Sequence, residues 1–200
     1  MNSQGLLNQA RAGDPASLGQ LLESHRAYLR LLAQQEIGRQ LRGKVGASDV
    51  VQDVCLKAHQ QFPRFQGTEI PQFERWLRTI LAGTLANTMR HYLGTQARNA
   101  QLEQEILVRF DQSTCGLSQM LIDPRSSPSQ QVARAEMGGI VAHALGQLSP
   151  DYQQVLTMRH LESMTFPEIA QRMARSVDSV EKLWLRGITK LRRLFAEHLS

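Results

Sequence analysis

The residues best suited to chemistry in this chain lie between Thr165 and Phe195, and the chemistry they fit is recognition of a polyanion. Lys182, Arg186, Lys190, Arg192 and Arg193 fall on one side of a helical period. Val177, Val180, Leu183, Trp184, Ile188 and Leu191 fall on the other. A shorter helix should precede them. Thr165 can cap it, Glu168 follows three residues on as a capping box requires, and Pro167 sits in the first turn, where its missing N–H costs nothing. Ile169, Ala170 and Met173 give that helix an apolar stripe, the chain breaks at Ala174-Arg175, and Ser176 can cap the second helix. A short helix, a tight turn and a longer helix with a basic face is the helix-turn-helix layout, whose second helix enters the DNA major groove. Any helical hairpin in an all-α protein has an apolar stripe and a charged face, but here the caps, the turn and the basic exit agree. Asp178 and Glu181 work the other way: they suit the positive end of the helix dipole and do not help approach to phosphate.

No other constellation competes. There is no glycine-rich phosphate loop, no nucleophile motif and no cluster with metal-ligand spacing, so neither an enzyme nor a metal or cofactor is expected. Cys55 and His59 could share a helix face, but two ligands do not make a structural zinc site, and Cys55 reads as a small core residue. Two cysteines in 200 residues give no disulfide framework. The first residues lack the basic and then apolar pattern of a signal peptide, and no apolar run is long enough to cross a membrane, so a cytoplasmic protein is expected.

The elements that must position these residues are helical throughout. The apolar fraction is 42%, enough for packed cores, and no alternating β-branched run makes a convincing strand. Net charge is +5, unevenly spread. Residues 1–98 hold 12 Lys/Arg against 7 Asp/Glu, residues 99–127 hold 2 against 4, and residues 128–200 hold 9 against 7. Two basic blocks flanking an acidic middle suit a protein that meets a polyanion at two places. The expected architecture is all-α: one small helical domain over 1–98, a flexible linker over 99–127, and a second helical domain over 128–200.

In the first domain, a short helix over 6–12 should stop at Gly13. Asp14-Pro15 then starts a long helix to about Gln40, marked by Leu18, Leu21, Leu22, Leu29, Leu32 and Ala33. Leu41 to Gly46 reads as a connection. Ser48 is expected to cap a helix to about Phe62, with Val51, Val54, Cys55 and Ala58 inward and Asp49, Gln52, Asp53 and Lys57 on the other side. That acidic start could be dipole complementation or a docking face, and periodicity leaves both open. After a loop from Pro63 to Pro71, a helix from Phe73 to Leu93 carries Trp76 as a core residue and adds Arg75, Arg78, Arg90, His91 and Tyr92, a mixture suited to single-stranded nucleic acid. In the linker a short helix over 100–110 precedes turn compositions at 111–116 and 123–128. The second domain should open with a helix bearing Val132, Met137, Ile140, Val141, Ala144, Leu145 and Leu148. A helix from Ser149-Pro150-Asp151 to about Leu161 follows, and then the hairpin.

Five stretches carry a resemblance to a known family: Gly13–Ala33, Ala47–Gly67, Phe73–Tyr92, Ser126–Met137 and the run from Ala144 to Arg193. In this order and spacing they resemble the extracytoplasmic-function sigma factors of the sigma-70 family, most nearly the planctomycete-type members. The resemblance implies a non-enzymatic RNA polymerase sigma factor that directs promoter-specific initiation. Asp49, Val50, Gln52, Asp53 and Lys57 would meet core RNA polymerase, at its β′ subunit, with β as a further contact of the factor. Arg75, Arg78, Asn87, Arg90 and His91 would meet the −10 element, with Phe65–Gln72 as a loop for a flipped base. Arg175, Ser176, Asp178, Ser179, Lys182 and Arg186 would meet the −35 element. Promoter DNA and core polymerase are thus the implied partners, and an anti-sigma factor holds many members of the family. Relatives often have Gly at the position of Ala174, which implies a different turn or some strain, and a basic residue at that of Glu181. The reading that needs no polymerase is a stand-alone helix-turn-helix regulator binding an operator as a dimer.

Overall fold

The computed structural model describes residues 3–40, 45–93, 99–121, 144–160 and 164–199, with 141 and 162. All regular structure among them is helical. The chain divides into two compact units, Met1–Gln112 and Ser113–Ser200.

In the first unit, α1 (Ser3–Arg11) ends where expected, and Gly13 takes φ 98°, a turn that an L side chain would resist. Asp14 then starts α2 (Pro15–Gln40). Its carboxylate accepts hydrogen bonds from the Ser17 hydroxyl and from the Ala16 and Ser17 N–H groups, and these bonds hold its pKa below the usual carboxylate value. The connection expected over 41–46 lies largely outside the described residues. Helix α3 (Ala47–Gln61) is capped differently from the expectation. Gly46, not Ser48, is the N-cap, and no side chain caps there. A Cβ on Gly46 would stand 2.6 Å from the Asp49 carboxylate, which lies over the open helix end, so the absence of a side chain leaves room for an acid in the first turn. A single 3-10 turn, Phe62–Arg64, follows, and α4 (Ile70–Leu93) begins at Ile70 rather than Phe73, which shortens the expected loop.

The unit packs α2, α3 and α4 against one another, with α1 laid on α2 and α4. Leu7, Leu21, Leu29, Leu32, Val54, Phe73, Leu81, Leu85 and Met89 are fully buried between them. At 25 cal/mol per Å² such side chains each contribute roughly 2 kcal/mol.

The linker expected over 99–127 is corrected in its first part. Residues 111–116 are helical, not a turn, because α5 runs unbroken from Asn99 to Leu121. Ile106 and Phe110 on α5 are fully buried, and Arg109 donates two hydrogen bonds to the buried carboxylate of Glu36 on α2, at 2.8 and 3.0 Å. The residues up to Gln112 thus belong with the first unit.

In the second unit, Val132, Met137 and Ile140 lie outside the described residues, whereas Val141, Ala144, Leu145 and Leu148 are buried as expected. Helix α6 (Pro150–His160) and the pair α7 (Phe166–Met173) and α8 (Val177–Leu199) complete it, with α6 and α7 both packed on α8.

Candidate functional site

The α7–α8 hairpin forms as its sequence requires. The Thr165 hydroxyl accepts the Glu168 N–H, while the Thr165 N–H donates to Glu168 Oε2 at 2.7 Å. Ser176 Oγ accepts the Ser179 N–H at 3.2 Å, so Ser176 is the cap of α8. Between them Ala174 takes φ 52°, ψ 46°. The turn is therefore the left-handed one that favours glycine, made with an alanine, and strain is the outcome. Val180, Ile188 and Leu191 are buried as expected, Leu183 and Trp184 are half-buried, and Val177 is exposed, a correction to its expected place inside.

The candidate reading residues do not all stand free. Lys182 Nζ donates to Asp178 Oδ2 at 2.8 Å one turn away, and Arg175 donates to Asp151 on α6 at 2.6 Å. Asp178 therefore holds one of the cations expected from the sequence to meet phosphate. Arg186 is exposed and has no ion-pair partner among the described residues. Sequence reasoning did not single out Leu185, which is 60% exposed beside Arg186.

Beneath the hairpin lies an aromatic stack. Trp184 Nε1–H donates to His160 Nε2 at 2.9 Å, the two rings stack, and Phe166 meets Trp184 edge-on. Arg159 lies over the Phe166 ring at 4.7 Å and donates to the Met164 carbonyl. Burial, helped by the charge of Arg159, lowers His160 to about 4, so the ring is neutral and free to accept the indole proton.

On α3, Asp49, Gln52 and Asp53 are exposed on one side, and Leu56, 58% exposed, extends that side by a turn. Val50, grouped with them from the sequence, is buried in the unit's own core and offers nothing to a partner in this arrangement. Lys57 turns inward and donates to Thr84 Oγ1 on α4 at 3.0 Å. Both belong to the packing of α3. Cys55 is half-buried, and burial pushes its thiol up, as befits a core residue.

On α4, Arg75, Asn87, Arg90 and His91 are exposed, with Thr79 and the half-buried Gly83 on the same side. Asn87 Oδ1 accepts from Arg90 at 3.2 Å. Arg78 is the exception. It is buried, donates to the Tyr28 hydroxyl at 3.3 Å and pairs with Asp111 on α5 at 3.4 Å. Burial works against its charge, but Tyr28, Asp111 and Glu74 outweigh it and raise its pKa. Its place is structural. The family resemblance put it with the other arginines, and packing against Tyr28 of α2 and Asp111 of α5 removes it.

Ahead of α4, Phe65 stacks on Phe62 and tilts over Trp76 with ring centroids 4.9 Å apart, and Phe73 meets them from α4. Trp76 is half-buried in this cluster, close to the core role expected of it.

Comparison with known proteins agrees with this order of parts. The sigma-70 region 2 profile matches residues 21–99, and the sigma-70 region 4 profile matches residues 139–191. The chain belongs to the sigma-70 family. It is an RNA polymerase sigma factor, and a stand-alone regulator is not favoured, since the first unit carries region 2. This sigma factor is 24% identical to the ECF RNA polymerase sigma-E factor of Haemophilus influenzae over 94% of its own length and 92% of the relative's. It is 23% identical to the ECF RNA polymerase sigma factor BldN of Streptomyces coelicolor, over 96% and 65%. The solved structure of CnrH in complex with the cytosolic domain of CnrY is matched at 21% identity, covering 98% of the sigma factor and 97% of that chain, with a TM-score of 0.34. Among the described residues of the sigma factor no helix is long and apolar enough to cross a membrane.

Proposed function

We propose that this sigma factor, an extracytoplasmic-function member with no catalysis of its own, works in the cytoplasm by gripping three surfaces on two partners, core polymerase and promoter DNA. The exposed side of α3, with Asp49, Gln52, Asp53 and Leu56, docks on the β′ subunit of core polymerase. The exposed side of α4, with Arg75, Asn87, Arg90 and His91, and the residues 65–72 ahead of it take the −10 element. The first half of α8, with Arg186 foremost, takes the −35 element, while Ser176 and Ser179 present the helix end to the DNA backbone. The linking role falls to residues after Gln112, so that two weak DNA contacts combine through effective concentration. An anti-sigma factor, as many members of the family have, would act by covering the α3 face.

The observation that carries this reading is the exposed side of α3. Its opposite side is fully committed to the core, yet an acidic and apolar strip is left uncovered (Asp49, Gln52, Asp53, Leu56). A strip of that composition on a basic protein serves a partner better than it serves DNA. The double change Asp49→Lys, Asp53→Lys should abolish capture of core polymerase while leaving the helical signal of the chain intact. Capture at wild-type affinity would show the docking assignment to be wrong.

A further inference from the structure

Gln4 lies on α1, ahead of the stretch that matches sigma-70 region 2, yet its side chain reaches the connection that precedes α4. Gln4 Nε2–H donates to the Thr68 carbonyl at 2.8 Å, and Gln4 Oε1 accepts the Ile70 N–H at 3.3 Å. The same amide nitrogen donates to Asn8 Oδ1 at 3.0 Å, which fixes the way the amide faces. From the other side, Gln72 Oε1 accepts the Thr68 N–H at 2.8 Å and the Glu69 N–H at 3.3 Å. Two side-chain amides, one from α1 and one from the first turn of α4, thus satisfy three backbone groups of the connection and the Ile70 N–H that opens α4. Phe65 completes the arrangement by folding over Gly67, where an added Cβ would stand 2.3 Å from its ring. Helix α1 is anchored for this task, since Leu6, Leu7 and Ala10 are buried.

A segment held in this way loses little freedom when it binds, whereas a loose one must be ordered at the moment of contact. We propose that Gln4 is a positioning residue for promoter recognition, with α1 holding residues 65–70 in the form that meets the −10 element. The inference rests on the reading that these residues take part in that contact.

The test uses full-length chains assembled with core polymerase. Its probe is a promoter duplex selected by the wild-type holoenzyme from random-sequence DNA, together with the same duplex altered singly at each base of its −10 element. Gln4→Ala should leave affinity for core polymerase unchanged. It should slow open-complex formation on the selected promoter by roughly tenfold, the equivalent of one or two lost hydrogen bonds, and flatten the ranking of the altered −10 elements. The ranking of altered −35 elements should stay as in the wild type. If core affinity falls in step with promoter opening, Gln4 serves only the stability of the unit and the proposal is overturned. Gln66→Ala with Thr68→Ala, both exposed on the segment, tests the parent reading. If this pair keeps the −10 ranking, that reading fails. If the pair loses the ranking while Gln4→Ala keeps it, the positioning role alone fails. Should Gln4→Ala not fold, Gln4→Glu retains the acceptor for Ile70 but sets a carboxylate against the Thr68 carbonyl, and is expected to flatten the same ranking.

Discussion

Ala174 is the residue whose backbone conflicts with its type. At φ 52° its Cβ crowds the carbonyl, a cost of about 1–2 kcal/mol, while glycine adds freedom to the unfolded chain. Ala174→Gly is therefore expected to stabilise the second unit by roughly 0.5–1 kcal/mol, read as a higher denaturation midpoint with an unchanged slope. His160 makes a second prediction. Its pKa falls from 6.5 unfolded to about 4 folded, so the fold prefers the neutral ring. The stability this contributes is fully present above pH 6.5 and drains away as pH falls towards 4. The ring is only half-buried, and solvent screening reduces the effect to about 1–2 kcal/mol. Acidification should shift the Trp184 indole N–H resonance as the unit loosens, and His160→Gln should remove the part of the pH dependence that begins near 6.5, leaving that of Glu168 at lower pH.

At the scale of the element, α8 and α4 carry their charges differently. The Lys182–Asp178 pair is exposed and worth only about 0.3–0.5 kcal/mol, so DNA can break it, but it lowers the positive field of the helix. Arg186→Ala should weaken binding to a duplex and reduce the salt dependence by about one counterion, and Asp178→Asn should tighten binding, both seen by fluorescence anisotropy from 50 to 200 mM salt. On α4, Gly83 sits mid-helix among exposed polar residues. An added Cβ would meet the Glu103 carboxylate of α5 at 3.5 Å, an ordinary contact. Gly83→Ala should thus raise thermal stability by about 0.5–1 kcal/mol through helix propensity.

For the whole molecule, the first unit depends on a segment beyond its matched region. Glu36 is wholly buried, and the bidentate bonds from Arg109 on α5 balance its charge. Arg109→Ala would leave a carboxylate inside with weaker compensation, at a cost of roughly 2–3 kcal/mol given that Arg109 itself is partly exposed. Thermal unfolding of the first unit should show this loss, while the second unit's transition stays in place. The same α5 contact, through Asp111, keeps Arg78 inside. On the proposed reading, the α4 face that meets the −10 element therefore lacks Arg78, a cation its sequence offers.

The all-α class, the helix starts at Asp14-Pro15 and Thr165, the hairpin and the order of the two regions follow from sequence, because caps, prolines and hydrophobic period act within a few residues of the chain. At Ala174 the family resemblance left a different turn or some strain open, and the backbone decided for the left-handed turn. Tertiary structure decided what local rules cannot reach. Helical period sorts residues into faces but does not say which second helix will cover a face. So period left Lys57 beside the docking acids, and the family resemblance set Val50 with those acids and Arg78 with the DNA-facing arginines, whereas the fold gives the three to Thr84, to the core, and to Tyr28 and α5. Composition read 111–116 as a turn from its small polar residues, where Ile106, Phe110 and Arg109 tie the start of α5 to the first unit. It was silent on Gln4, whose partners lie 64 and 66 residues along the chain.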